Sequence, residues 1–543
     1  MATTFKRCTA ASRVAVVMAQ TLTACARAAW ALMVCAVLAC SPLGRADSPM
    51  APQPGAAAAA ASQHVLNSIG DPAMGPLMDA WMDRLQQSNP GIRRGARWRH
   101  ASDAEAIGAL MFELADVAPL AREFTAAETA PYVHQFAGDM MKAPLLIRVA
   151  GTPQRPLYIA LNRRPDSPLP PAPRTFIAFA LSAQGQGIAA RVGYAALDTE
   201  ALARERAKLD GYVAELDPEL PRYRPVAGLR GAIRSVGSDG MKSLMERWMR
   251  DFQRVQPDIR RGERWEHLGT LNGFHALLQN ETDLAPMGRE LWPDELARFK
   301  ATHGGRAPVE IRVARGGFNT PQRTTAQAIF VNEANPVRGL SLPQLADILS
   351  DPPRVTRWGQ LGLDGEWADR AIAVYMPPKA APNAMSMQIS LLLGGAWNRA
   401  AREGSVQSTA EAIARDPSAI GFGGFEDGGP GLRAVPLSAR DAGPVSARDA
   451  VPLSGRDAAP LSGRRAEAFV AGTPETASSG RYPLTRYLYI RFDRPSLNEP
   501  VAAFLRYVLS AAGQEPVRYS GYFPLSSAEV SQDLARLDAL LHE

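Results

Sequence analysis

At 543 residues the chain is longer than one ordinary core of about 100 to 200 residues, so three or so folding units are expected. Apolar residues make up 46% and charged residues 21%, the proportions of a soluble globular chain, which excludes fibrous and wholly disordered classes. Five of the six net positive charges reside in Lys6, Arg7, Arg13, Arg27 and Arg45; beyond residue 46, 55 basic side chains face 54 acidic ones, which excludes an electrostatic footprint for nucleic acid or anionic membrane.

Residues 1–46 read as a signal peptide. Basic residues precede an apolar run, Ala28 to Ala39, of about 12 residues where a bilayer span needs about 20. Cleavage follows Ala46, or a lipoprotein peptidase cuts before Cys40 in Val37-Leu38-Ala39-Cys40 and leaves a lipid anchor there. Cys8, Cys25, Cys35 and Cys40 all fall in this segment, so the mature body offers no disulfide framework, thiolate metal site or cysteine nucleophile. Residues 47–64, rich in Ala, Pro, Gly and Gln, form a tether. No later segment is apolar enough to span a membrane.

Next comes an internal repeat. Gly70 to Glu123 aligns without gaps on Gly237 to Glu290, with 22 of 54 positions identical, among them Trp81 with Trp248, Ile92-Arg93-Arg94-Gly95 with Ile259-Arg260-Arg261-Gly262, His100 with His267, and Arg122-Glu123 with Arg289-Glu290. Ile147 to Ala150 then matches Ile311 to Ala314. After that, Leu157-Tyr158-Ile159 follows at once in the first copy, while its counterpart Leu488-Tyr489-Ile490 comes far downstream. Gly185-Gln186 and Gly193-Tyr194 pair with Gly513-Gln514 and Gly521-Tyr522. The pattern predicts a truncated lobe over 65–205, a complete lobe one split between 230–325 and 480–540, and a second lobe over 326–436 inserted between its halves.

Within a copy the periods alternate. Met241, Leu244, Met245, Trp248, Met249 and Phe252 stand at helical spacing, Glu263 to His267 is extended, Asn272 to Gln279 helical, and Asp283 to Met287 extended. The second lobe repeats this alternation with a strand at Ala328 to Asn332, a helix at Leu342 to Leu349, a strand at Ile372 to Tyr375 and a helix at Met385 to Leu393. The order predicts α/β sheets with helices on their faces. Residues 437–466 repeat an eight-residue unit rich in Pro, Gly and charge (LSARD, VSARD, LSGRD, LSGRR), too short for a packed layer and expected to be a flexible surface loop. The Met and Trp stripe reads as core, and His100 and His267 as structural strand residues. The glycines between Gly421 and Gly431 lack the Lys-Ser/Thr ending of a phosphate loop. No metal-ligand spacing, nucleophile elbow or paired-acid motif is present, so neither enzyme nor cofactor is expected.

Taken together, Gly237-Ser238-Asp239-Gly240-Met241, DLAPMGREL (283–291), AQAIFVNEANPV (326–337), WGQLGLDGEW (358–367), AIGFGG (419–424) and YPLTRYLYIRFD (482–493) resemble, in the same order, the phosphate-type solute-binding proteins of ABC importers. The resemblance implies a two-lobed type II periplasmic-binding fold, preceded here by an extra single α/β lobe. It also implies extracytoplasmic capture of a small oxyanion, phosphate in that family, for delivery to an ABC permease. Ser238, Asp239 and Gly240 would begin one amide-donating helix, Thr270 a second, and the turn Gly288-Arg289 would face the same cleft; lobes would close about the ligand by a hinge.

The sequence departs from that family at several of these positions. Gly288 replaces a serine. In the second lobe Pro377 aligns with the family's arginine, and Ala381, Pro382 and Asn383 with its Ser-Gly-Thr, leaving Lys379 and Asn383 as the side chains able to substitute. Arg289 also reads as an ion-pair partner, since Arg122 persists in the truncated copy. These losses support an alternative, a degenerate binding fold acting as a sensory or protein-interaction module in the cell envelope.

Overall fold

The computed structural model describes residues 64–135, 144–163, 167–320, 323–440 and 469–542. The expected signal peptide, its Cys40 anchor, tether residues 47–63 and octad residues 441–466 lie outside the described residues. His64, assigned to the tether, is instead the first residue of a strand, because it pairs with Ile92.

The N-terminal lobe holds β1 (His64–Gly70), β2 (Ile92–His100), β3 (Val117–Leu120), β4 (Leu145–Thr152) and β5 (Arg155–Leu161) in one sheet of order β2-β1-β3-β5-β4. The β1 strand runs parallel to β2 and β3, whereas β5 is antiparallel to β3 and β4. Further on, β6 (Gly231–Gly237) pairs in parallel with β7 (Ile259–His267). A parallel bridge from Ser235 to Leu284 then ties β6 to the segment leading into β8 (Ala285–Met287). The last neighbours are β9 (Val309–Arg315) and, far along the chain, β17 (Tyr487–Phe492), which lies between β8 and β9. The order β7-β6-β8-β17-β9 is that of the N-terminal lobe.

Between β9 and β17 the chain builds another sheet, order β13-β12-β14-β10-β15, from β10 (Gln327–Asn332), β12 (Ala373–Met376), β13 (Arg402–Glu403), β14 (Ala419–Gly424) and β15 (Leu432–Ala434). A separate pair joins β11 (Leu340–Ser341) to β16 (Leu437–Ser438). Leu437 and Ser438, expected in a flexible loop, are therefore strand residues and buried. Leu437 also exchanges backbone hydrogen bonds with Val470, 2.9 and 2.7 Å. The helix expected over Met385 to Leu393 runs instead from Pro382 to Ser390, since Pro382 suits a first turn and Leu393 takes a left-handed φ of 51°.

In both repeated lobes a helix with the predicted spacing packs on the sheet. In Lys242–Val255, Leu244, Met245, Trp248, Met249 and Phe252 are buried; in Gly75–Ser88, Leu77, Met78, Trp81, Met82 and Leu85 are. Many residues shared between the two lobes satisfy buried polar groups. The Trp248 indole donates to the Gly513 carbonyl at 2.6 Å and that of Trp81 to Gly185 at 2.8 Å. Gln514 donates to the Val313 and Val508 carbonyls and accepts from the Leu525 amide; Gln186 does the same with Val149, Ala180 and Leu197. A Cβ on Gly237 or Gly70 would lie 2.2 Å from the carbonyl of Pro286 or Pro119, so only glycine lets these strands approach.

Replacing Trp248 with Phe keeps an aromatic side chain but removes the N–H that donates to the buried Gly513 carbonyl, which should cost about 1–3 kcal/mol in urea unfolding. His267, bonded to Ser235 Oγ at 3.0 Å, is pushed down to about 3 by burial, with Lys242 and Arg261 adding to the effect. The unfolded chain therefore binds a proton near pH 6.5 that the folded chain refuses. This contribution to stability is whole above pH 6.5 and falls as pH drops toward 3. His267→Gln should flatten that acid limb of stability against pH, measured by urea midpoints.

Candidate functional site

The sheet order places three turns of lobe one side by side: after β6, before the helix Thr270–Leu278, and after β8. Opposite them stand the turn after β12 and the end of β14. Between the two walls lies a cavity of about 480 Å³, lined from lobe one by Ser238, Asp239, Gly240, Thr270, Gly288 and Arg289, and from the second lobe by Pro377, Ala381, Pro382 and Asn383. Seven of the eight residues singled out in the sequence share this cavity.

Lys379 does not. Its ammonium lies 3.1 Å from Glu403 Oε1 and its backbone N–H donates to Glu403 Oε2 at 2.9 Å, because β13 brings that carboxylate alongside the turn. Positive charge comes from residues the sequence reading passed over: Arg323 and Arg486 line the cavity together with Thr324, Tyr522, Glu426 and Asp427. Arg323 donates to the Gly240 carbonyl and lies 5.3 Å over the Tyr522 ring, and the Tyr522 hydroxyl donates to the same carbonyl at 3.1 Å. Tyr194 does likewise with Ala73 in the N-terminal lobe, so the recurrence of Tyr522 was a usable signal. The aperiodic crossover carrying Arg323 and Thr324 offered none.

Comparison of the two lobes shows what the turns can hold. In the N-terminal lobe the Asp71 carboxylate accepts from the Ala73 amide at 2.7 Å and from the Ala121 amide at 3.3 Å, bridging two separate turns. Asp103 accepts from Arg122 Nε at 2.9 Å. The corresponding positions in the later lobe are Ser238 for Asp71, Gly240 for Ala73, Gly288 for Ala121, Thr270 for Asp103 and Arg289 for Arg122. Ser238, buried, caps nothing with its side chain, and no carboxylate replaces Asp103. Arg289 retains the paired bonds to Glu295, 2.7 and 2.6 Å, that Arg122 makes to Glu128, and stacks 4.1 Å from Trp292. Its ion-pair role is thus shared with the N-terminal lobe, while the residues at the positions whose donors the aspartates occupy there line the cavity here.

The far wall is acidic. Glu426 Oε1 accepts from Thr325 Oγ1 at 3.0 Å, whereas its buried Oε2 has no hydrogen-bond partner in the protein. Burial pushes this carboxyl up to about 7, with the Asp427 charge a lesser contributor; burial raises Asp427 also. Among the described residues no cluster of His, Asp or Glu could hold a metal ion, and no helix is long and apolar enough to cross a membrane.

The folded chain retains the Glu426 proton that the unfolded chain gives up near pH 4.5, so this stabilising contribution is lost as pH rises from 4.5 through 7. Glu426→Gln should reduce the fall in melting temperature between pH 5 and pH 8, followed by calorimetry.

The phosphate-binding protein PstS of Pseudomonas aeruginosa, in two strains, is 27% identical over 337 residues, which cover 60% of this chain and 93% of the relative. An ABC-type phosphate transport receptor from Vibrio cholerae is 18% identical over 54% of this chain and all of its own, with a TM-score of 0.35. A putative phosphate ABC transporter substrate-binding protein from Clostridium perfringens, solved with bound phosphate, is also 18% identical, over 55% of this chain, with a TM-score of 0.31. Residues 223–512 match the model of the PBP superfamily domain, and the chain belongs to that superfamily.

Proposed function

We propose that the protein is an extracytoplasmic solute-binding protein that captures a small oxyanion, phosphate first among the candidates, and hands it to an ABC permease. One observation carries the reading. Amides and an arginine that hold aspartate carboxylates in the N-terminal lobe have counterparts in the later lobe that border a cavity with no such carboxylate on them. A free oxyanion offers the same acceptor oxygens as a carboxylate, and helix-start amides favour negative charge. The relationship to PstS, named as a phosphate-binding protein, makes phosphate the first ligand to test. Capture involves no covalent step.

In this reading the later module binds one anion and swings its second lobe over it, while the N-terminal lobe, its donors already satisfied, binds none. Residues 1–46 would direct export, ending in cleavage after Ala46 or in a lipid anchor on Cys40. The sensory or interaction alternative is favoured by one observation, the second lobe's poverty in donors: Pro377, Ala381 and Pro382 offer no side-chain hydrogen-bond donor, and Glu426 and Asp427 repel anions.

Isothermal titration with phosphate, sulfate and molybdate decides between them. The proposal expects heat with at least phosphate, at one anion per chain; silence with all three favours the alternative. Arg323→Ala removes a charge-assisted donor worth about 1.5–3 kcal/mol, so phosphate affinity should fall by about 10- to 100-fold.

A further inference from the structure

Arg486 sits where the chain returns to lobe one at the head of β17, between the two segments that connect the lobes. Its carbonyl accepts from the Gly316 amide of the outgoing segment at 2.8 Å. The side chain is 6% exposed, so it is a buried charge, and it reaches both ways. Nη2 donates to Glu290 Oε2 of lobe one at 3.2 Å, and Nη1 to Asn383 Oδ1 of the second lobe at 3.3 Å. Nε is buried and has no hydrogen-bond partner in the protein.

The guanidinium lines the anion cavity on one side. On the other it borders a smaller cavity of about 80 Å³, shared with Glu290, Gln327 and Ser386, which leaves room for the group to shift. Asn383 is held from behind by its own carbonyl, which accepts from Gln327 Nε2 at 2.8 Å, so a displacement of Asn383 is a displacement of the second lobe's helix start. Both of the Arg486 bonds are long for charge-assisted contacts, and a better acceptor can outcompete them. An arginine fork matches the oxygens of a tetrahedral anion, and this wall has lost the arginine expected at Pro377.

We propose that Arg486 is a further binding and positioning residue of the anion cleft, coupling capture of the oxyanion to movement of the lobe that carries Asn383. The proposal rests on the oxyanion reading above. An anion arriving on lobe one draws the fork toward itself, and Asn383 follows through Nη1.

The test titrates inorganic phosphate into the full-length protein by calorimetry and follows the radius of gyration by small-angle scattering at saturation. The wild type should bind and contract. Arg486→Gln should weaken binding by about 10- to 100-fold, the loss of a buried charge-assisted donor. Arg486→Lys, which keeps the charge and loses the fork, should still bind but no longer contract, an outcome that a merely structural role for the arginine would not give. Wild-type affinity in the Gln variant, or full contraction in the Lys variant, overturns the role of Arg486 and leaves the oxyanion reading standing. No heat from the wild type itself removes the oxyanion reading, and this proposal with it. Should the Gln variant fail to fold, the Lys variant alone decides.

Discussion

A backbone amide at the start of a helix has no intrahelical partner and must find an acceptor. The N-terminal lobe brings one such amide, that of Ala73, and the Ala121 amide of a second turn to one point, and the later lobe has Gly240 and Gly288 at the corresponding positions. The N-terminal lobe answers with its own chemistry, Asp71 across the Ala73 and Ala121 amides and Asp103 on Arg122. The module answers with Ser238 and Thr270, whose short neutral side chains cannot neutralise the same donors. One lobe is thereby internally complete, while the other leaves these donors without an aspartate partner, which is the difference on which the proposed oxyanion reading rests.

That difference has meaning only because the second lobe exists to cover the turns. Inserting it between β9 and β17 is tolerated because the lobe-one sheet closes regardless: β17 slots antiparallel between β8 and β9 as β5 does between β3 and β4. The two connections are pinned together by the Gly316 to Arg486 and Gln327 to Leu484 backbone bonds, 2.8 and 3.0 Å. At Gly317 a Cβ would lie 2.0 Å from the Gly521 carbonyl, so the crossing also presses against the turn that carries Tyr522. A change at the crossing is thus felt beside Gly240, to whose carbonyl Tyr522 donates.

Much of this was legible in the sequence. Gly237, Trp248, His267, Gln514 and Tyr522 each recur in the N-terminal lobe because each makes a contact that a substitute would leave strained or unsatisfied, and repetition made those positions stand out. Helical spacing located the buried face of Lys242–Val255 for the same reason: side-chain period and burial are one constraint. Of the cavity's three arginines, Arg289 was legible and the other two were not. Arg323 lies in a crossover with neither period nor repeat partner, and Arg486 lies in a segment whose match to the N-terminal lobe begins at its strand, after the arginine. Lys379 misled because adjacency in sequence to Pro377 says nothing about Glu403, which only the β12–β13 pairing brings alongside.

The electrical balance of the cleft follows from the same residues. Arg289, Arg323 and Arg486 face Asp239, Glu426 and Asp427, so the lining carries no net charge when all are ionised. All three arginines are already engaged, Arg289 with Glu295, Arg486 with Glu290 and Arg323 with the Gly240 carbonyl. Long-range attraction therefore does little to draw an anion in, and discrimination has to come from short-range geometry: donors on the lobe-one wall that match acceptor oxygens, and carboxylates on the other wall that reject any oxygen unable to offer them a proton. On the proposed oxyanion reading, a partly protonated anion would satisfy both walls at once, whereas a fully ionised one would satisfy lobe one and be repelled by Glu426 and Asp427 once they ionise. On that reading the acidic wall, which disfavours anions in general, would also be the feature that makes the site selective.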